Sequence, residues 1–192
     1  MLSDVSPKAK TPALSALVTV TGTRLAGQGS PYDRRVATGE ELRTLLRRFP
    51  AGVAVVTVDL EGERIGLTVG SLVSLSLEPP LVGVAVSPQA ALHELLRHAG
   101  AFGVSLLGEG QEDLAVRFSR GVPPIALWSG VAVRQGRLGA PLLEGALGWL
   151  ECETRAEHAV GDHTLFVGEV VAAEAGSGAR PLVHLGQRFV AV

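Results

Sequence analysis

The spacing of apolar positions changes several times along the 192-residue chain, and each change marks an element. Thr38-Gly39-Glu40-Glu41 has capping-box spacing, with Thr38 as N-cap and Glu41 three residues on. Leu42, Leu45, Leu46 and Phe49 then recur at helical spacing, and Pro50-Ala51-Gly52 stops the helix. Val53 to Val58 is a β-branched run entering a hairpin turn at Asp59-Leu60-Glu61-Gly62. Ile65 to Leu77 reads as one long strand or a bent pair, ended by Pro79-Pro80 because proline donates nothing to a ladder. Leu81 to Val86 is a buried strand, Ala90 to His98 a helix, Phe102 to Leu107 a strand and Glu112 to Phe118 a short helix. Val131 to Val133, Ala146 to Thr154, Thr164 to Ala173 and Pro181 to Val192 are further strands, with turns at Gly161-Asp162 and Gly176-Ser177-Gly178.

This order is strand-rich, with two or three helices inserted and no regular strand–helix alternation. It predicts a mainly β fold, an antiparallel barrel with helices packed outside, rather than a doubly wound sheet. Before residue 37, Ser, Thr, Gly, Pro and Ala dominate and periodicity is poor. Residues 1–37 are therefore expected to be an extension, partly mobile or packed on a neighbour, and 38–192 the folded domain.

Composition narrows the classes. Hydrophobic residues make up 46% and charged residues 19%, which excludes a disordered chain. Basic and acidic side chains number 17 and 19, so the phosphate neutralisation that nucleic-acid binding relies on is not provided for. A single cysteine, Cys152, excludes an internal disulfide or a Cys-rich zinc site and points to a reducing compartment, the cytoplasm. No apolar run approaches the ~20 residues of a membrane helix. Lys8 and Lys10 precede a weak apolar stretch, Pro12 to Val20, but Asp4 and interspersed Ser and Thr break the signal-peptide pattern.

The segment Gly66 to Leu81 is the most informative. If it is extended, Val69, Val73, Leu75 and Leu77 share one face, and Thr68, Gly70, Ser74 and Ser76 the other. A face of small hydroxyls and glycine suits a flat polar ligand, whose ring carbonyls and phosphate oxygens hydroxyls and main-chain N–H groups can satisfy. Pattern alone favours a serine-rich edge strand with no ligand. Gly161-Asp162-His163 lies between two strands, where its imidazole is either an exposed turn residue or part of a pocket rim. His93, His98, His158 and His184 form no spaced metal-ligand pair, so no metal is expected. Cys152 reads as a buried structural thiol. Nucleophile elbows, Walker loops and dinucleotide fingerprints are absent, so any nicotinamide cofactor is held outside a Rossmann site.

From about Leu42 to Val192 the chain resembles the short-chain flavin reductases of the FMN-binding split-barrel class. The marks are Phe49-Pro50-Ala51-Gly52-Val53 with Val55-Val56-Thr57, the Gly66 to Leu81 segment, Phe102 to Leu107, and Gln111 with Leu114-Ala115 and Phe118. Gly139-Ala140-Pro141-Leu142-Leu143, Leu150-Glu151-Cys152, Gly161-Asp162-His163 and Pro181-Leu182-Val183 complete the set. The resemblance implies a homodimer of Greek-key split barrels with flavin near the subunit interface. It implies hydride transfer from NADH or NADPH to FMN or FAD, and release of reduced flavin to a partner monooxygenase. Thr68, Val69, Gly70 and Ser71 match positions against the isoalloxazine edge, and Ser74 and Ser76 positions near the ribityl and phosphate. Ser87 opens the next cofactor-contacting loop, and Gln111 and Phe118 match positions on a helix near the cofactor. His163 matches the family histidine at the nicotinamide side, with Gly161 and Asp162 shaping its turn.

The departures are Gly70 and Ser105 where the family usually has Asn, and Ala91 and Leu92 where the loop after Ser87 commonly carries hydroxyls. Each lost neutral hydrogen bond costs about 0.5–1.5 kcal/mol, and two or three would weaken flavin binding by about tenfold or more. Weak holding suits an enzyme that treats flavin as a diffusing substrate. It equally suits a drifted homologue with another ligand. The lost hydroxyls also motivate a second reading, a flavin-binding electron carrier or oxidase of this fold without NAD(P)H turnover. A non-enzymatic barrel that binds a partner protein is the third reading.

Overall fold

The structure is a computed structural model that describes residues 36–119, 124–178 and 180–192. The expected extension over 1–37 lies outside the described residues except for its last two. The remainder, Ala37–Val192, forms one compact unit.

In chain order the elements are α1 (Gly39–Leu46), β1 (Ala51–Gly52), β2 (Ala54–Leu60), β3 (Glu63–Val69), β4 (Val73–Leu77) and β5 (Pro80–Val86). Next come α2 (Ala91–Ala99), β6 (Ala101–Leu106), α3 (Glu112–Ser119), α4 (Pro124–Leu127), β7 (Val133–Gln135) and β8 (Pro141–Leu143). The long strands β9 (Gly148–Val160) and β10 (His163–Ala175) follow, then β11 (Leu182–Leu185) and β12 (Arg188–Ala191).

Seven strands form one antiparallel sheet in the order β3-β2-β6-β9-β10-β5-β4. Its two edges, β3 and β4, are consecutive in sequence and joined by only Gly70-Ser71-Leu72. Laid flat, strands ~4.8 Å apart would put those edges about 29 Å apart. The four steps from Val69 to Val73 span about 14 Å at most. The sheet must therefore curl until its edges approach, yet among the described residues β3 and β4 do not pair. The result is the expected antiparallel split barrel. Both faces of the sheet are covered: the neighbours Val55 and Val56 on β2 point to opposite sides and both are buried, as are Phe102, Val104, Phe118 and Phe166. A Cβ on Gly168 would stand 2.5 Å from the Phe102 ring, so the close approach of β10 to that ring requires glycine.

The local rules explain most elements. Thr38 Oγ1 accepts the Glu41 N–H and the Glu41 carboxylate accepts the Thr38 N–H, completing the capping box. Glu61 and Gly62, both at positive φ, make the tight β2–β3 turn. Three expectations are corrected. The Pro181 to Val192 strand is a hairpin, turned by Gly186 and Gln187, both at positive φ. The last strands are longer than the pattern indicated, because β9 and β10 pair all the way to Val160 and His163. The apolar side of the Gly66 to Leu77 segment is not one continuous face. The chain turns a corner at residues 70–72, and a bulge between Ser74 and Ser76 breaks the β4 register, leaving Val73, Leu75 and Leu77 exposed on an edge strand. Leu42, Leu45, Leu46 and Phe49 are likewise exposed, and α1 buries no residue. Among the described residues no helix is long and apolar enough to cross a membrane.

Candidate active site

Three segments singled out in the sequence meet at one end of the sheet. The corner is fixed by Ser71, whose hydroxyl donates to the Ala85 carbonyl (3.0 Å) and accepts the Ala85 N–H (3.2 Å). β4 begins its pairing at Val73↔Gly83, so the Ser71 side chain extends that ladder by one strand-like step. Ala85 faces Leu165 and Val86 faces Thr164 on β10, which brings Ser87 beside the β9–β10 turn and His163. The Ser87 hydroxyl accepts the Gln89 N–H (3.3 Å) and donates to the side-chain amide oxygen of Gln89.

The turn itself is two residues, Gly161 and Asp162, between the paired Val160 and His163. Positive φ at Gly161, the first of the two, suits a type II′ turn. His163 Nδ1 lies 2.8 Å from Asp162 Oδ1. An ionised carboxylate only accepts, so the imidazole donates from Nδ1, and a neutral ring leaves Nε2 as an acceptor. The hydrogen bond from His163, and then its charge, hold the Asp162 carboxyl below the usual carboxylate range, with a further contribution from Arg43. Helix α2 braces this hairpin from behind. Buried His93 places Nε2 2.9 Å from Thr164 Oγ1, and Arg97 Nε bonds both carboxylate oxygens of Glu157 at 3.1 Å.

A cleft of about 200 Å³ opens beside the corner, lined by Val53, Thr68, Val69, Gly70, Ser119, His184 and Phe189. The His184 and Phe189 rings lie 5.3 Å apart, tilted, on the two strands of the last hairpin. Across His184 lies a larger cavity, about 480 Å³, whose lining includes Arg43, Arg47 and Asp162. A third, apolar cavity of about 200 Å³ reaches the corner at Leu72 and shares Val53 with the cleft.

Of the residues singled out in the sequence, Thr68, Val69 and Gly70 line the cleft, and Asp162 lines the cavity beyond His184. Thr68 Oγ1 donates to the Ala115 carbonyl (2.8 Å), so toward a ligand it offers its lone pairs. Ser74 and Ser76 sit farther off on exposed β4. Ser76 pairs with Leu81, six residues before Ser87, or about 20 Å along β5. The buried Gln111 amide accepts the Gly108 N–H (3.0 Å) and donates to the Glu144 carbonyl (2.9 Å), tying two loops together. Phe118 is fully buried; a Cβ on Gly66 would stand 2.7 Å from its ring, and it meets Trp128 edge-on. Ser105 is buried, accepts the Leu143 N–H (2.9 Å) and lines none of the three cavities. Ser119, His184, Phe189, Arg43 and Arg47 were not foreseen. For the aromatic pair the signal was present: Gly186-Gln187 between apolar residues marks a turn that would have put His184 and Phe189 side by side.

Burial pushes the Cys152 thiol up to about 12, aided by Glu151, so it is no nucleophile. Among the described residues no three His, Cys, Asp or Glu side chains gather as a metal site.

The architecture defines a split-barrel protein with a cleft at the junction of its unpaired edges. Residues 46–192 match the flavin reductase like domain, and the chain belongs to that family. It is 43% identical over 150 residues to the reductase component of 4-hydroxyphenylacetate 3-monooxygenase of Thermus thermophilus, covering 78% of this chain and 94% of that one. It is 37% identical to the NADH-dependent flavin reductase StyB of Pseudomonas fluorescens, over 77% of this chain and 86% of that one. The NADH:FAD oxidoreductase SgcE6 of Streptomyces globisporus, solved with NAD and FAD fragments, superposes with a TM-score of 0.74. Its identity is 37%, over 86% of this chain and 96% of that one.

The residues present fit a flavin. A flat ring with a polar edge needs small neighbours and main-chain donors. As an edge strand, β3 directs every second N–H and C=O away from β2, unpaired within the sheet. Bare Gly70 keeps the gap to β1 open, since a Cβ there would already touch the Ala51 Cβ at 3.4 Å.

Proposed function

We propose that this protein is a flavin reductase, passing a hydride from NADH or NADPH to FMN or FAD and supplying reduced flavin to a monooxygenase. The observation that carries the reading is the convergence of the 68–71 corner, Ser87 and the 161–163 turn at one end of a barrel of this family. Relatives named as NADH-dependent flavin reductases and as monooxygenase reductase components support it.

A bound flavin would supply the acceptor for the hydride of a reduced nicotinamide, and the residues around the cleft would bind and orient the two rings. Main-chain N–H groups of the 68–71 corner would stabilise negative charge on the flavin pyrimidine. His163, held in one tautomer by Asp162, presents Nε2 to the carboxamide N–H of the nicotinamide and orients that ring without giving up a proton. Phe189 and Val53 form the apolar wall that keeps water from the reacting atoms. Ser71, Gln111 and Phe118 hold the frame on which these groups stand. The working unit is a homodimer in the cytoplasm. Leu77 is 86% exposed on an unpaired edge with Val73 and Leu75 beside it, an apolar strip that a second copy would cover while bringing Ser74 and Ser76 to the interface.

Anaerobic rapid mixing tests the reading. Protein with FMN or FAD should lose the visible flavin band on addition of NADH or NADPH. Failure of both donors with both flavins refutes it. Sedimentation at micromolar concentration should give a dimer, and a monomer refutes the covered strip.

A further inference from the structure

We propose that α1 builds the phosphate subsite for the nicotinamide donor: Arg43 and Arg47 grip its pyrophosphate in the cavity beyond His184, opposite Asp162. This rests on the reductase reading and names where the part of the donor beyond its nicotinamide ring is held.

The argument starts from the helix. Arg43 and Arg47 are four residues apart, so they share one face of α1 and its continuation. Both line the cavity of about 480 Å³, above an apolar floor of Leu42 and Leu46. Two guanidiniums one turn apart repel unless an anion lies between them. The charges around them are few. Glu40 pairs with Arg43 at 3.0 Å from the exposed side, and Asp162 faces Arg43 across the cavity with its own carboxylate bonded to His163. Arg47 has no ion-pair partner among the described residues. Among the described residues the cavity thus carries one guanidinium without an ion pair and a second that an exposed glutamate covers only from outside. Guanidinium forks match phosphate oxygens in a bidentate way. A carboxylate beside them matches ribose hydroxyls, which donate to it.

Position supports the same conclusion. His184 lines both this cavity and the Thr68–Gly70 cleft. A nicotinamide ring stacked on the flavin face turned toward His163 has only a ribose between it and its pyrophosphate, and Asp162, the neighbour of His163, lines this cavity, so the phosphates fall in it. The helix is fastened to that compartment, because the Arg47 carbonyl accepts the Gly186 N–H (2.9 Å) in the turn that follows His184. Arg48 supplies an internal control. It carries the same charge one residue on, but lines a separate hollow with Glu40, Glu41 and Thr44.

The test uses the full chain with Arg43→Gln, Arg47→Gln, the double variant and the control Arg48→Gln. Calorimetric titration with ADP, which carries a pyrophosphate and a ribose but no hydride, should show about tenfold weaker binding in the double variant and no change in the control. The KM for NADH and for NADPH should rise together by about tenfold in the double variant. The salt dependence of KM should flatten. With the phosphate-free donor 1-benzyl-1,4-dihydronicotinamide the loss should stay below about twofold. Unchanged ADP affinity and NADH KM in the double variant, or an equal loss with the phosphate-free donor, overturns the proposal. A loss confined to NADPH overturns the pyrophosphate assignment and moves the arginines to the 2′-phosphate. If the unmodified protein reduces flavin with none of these donors, the reductase reading fails instead, and the ADP titration still decides the subsite.

Discussion

Replacing Ser71 with alanine separates two roles that the sequence could not tell apart. The hydroxyl makes two hydrogen bonds to Ala85, at 3.0 and 3.2 Å, in a half-buried position. Each is worth about 0.5–1.5 kcal/mol net, and the alanine leaves one N–H and one C=O of β5 with only partial access to water. The expected loss is about 2 kcal/mol, which for a domain of this size lowers Tm by about 4–8 °C. The assay is thermal unfolding of the flavin-free protein by circular dichroism at fixed protein concentration, since association itself shifts Tm. Ser71→Thr keeps the hydroxyl and should recover most of the loss. Flavin affinity, read by fluorescence quenching, should fall in Ser71→Ala only as a consequence of the loosened corner. A variant that melts within about 1 °C of the parent while binding flavin about tenfold more weakly would refute the reasoning, and would make the hydroxyl a direct ligand.

Other expectations are equally specific. His163→Ala should raise the NAD(P)H KM by about two- to tenfold and lower kcat less, as for a lost neutral hydrogen bond; an unchanged KM in steady-state assays counts against its orienting role. Because the Asp162 carboxyl is held below its ordinary value, the unfolded chain binds its proton first as pH falls. The Asp162–His163 contact should therefore persist above the ordinary carboxylate range and be lost only as pH drops through the depressed value. An NMR titration placing Asp162 at or above an ordinary aspartate would contradict this. Cys152, buried and pushed up to about 12, should resist aromatic disulfide reagents at mildly alkaline pH until the protein unfolds; rapid labelling of the native protein would contradict its burial. Gly66→Ala drives a Cβ into the Phe118 ring at 2.7 Å and should cost about 1–3 kcal/mol in denaturant unfolding; parental stability would show that α3 moves aside freely.

Much of the fold was legible because its rules are local. The capping box at Thr38 and Glu41, the Glu61-Gly62 turn and the Gly161-Asp162 turn each depend on a few adjacent residues. The corner at 70–72 was less legible, because alternation of side chains continues through it. Only the strand order, with β3 and β4 at opposite edges, shows that the chain must turn there. The site divides in the same way. The resemblance put Thr68, Gly70, Ser71 and Gln111 alike beside the cofactor, yet Ser71 and Gln111 spend their side chains on backbone groups, and a polar side chain satisfied by backbone reads the same in sequence as one facing a ligand. The α1 arginines enter the site by tertiary packing alone, which no periodicity encodes.

The most direct measurement is a crystal structure of the protein with FMN or FAD bound. The isoalloxazine ring should lie in the cleft between the 68–71 main chain and His184, one face turned toward His163. A flavin bound instead in the polar hollow beside Arg134 and Trp149 at the far end of β10, or a cleft closed by Phe189 with the ring excluded, would contradict it.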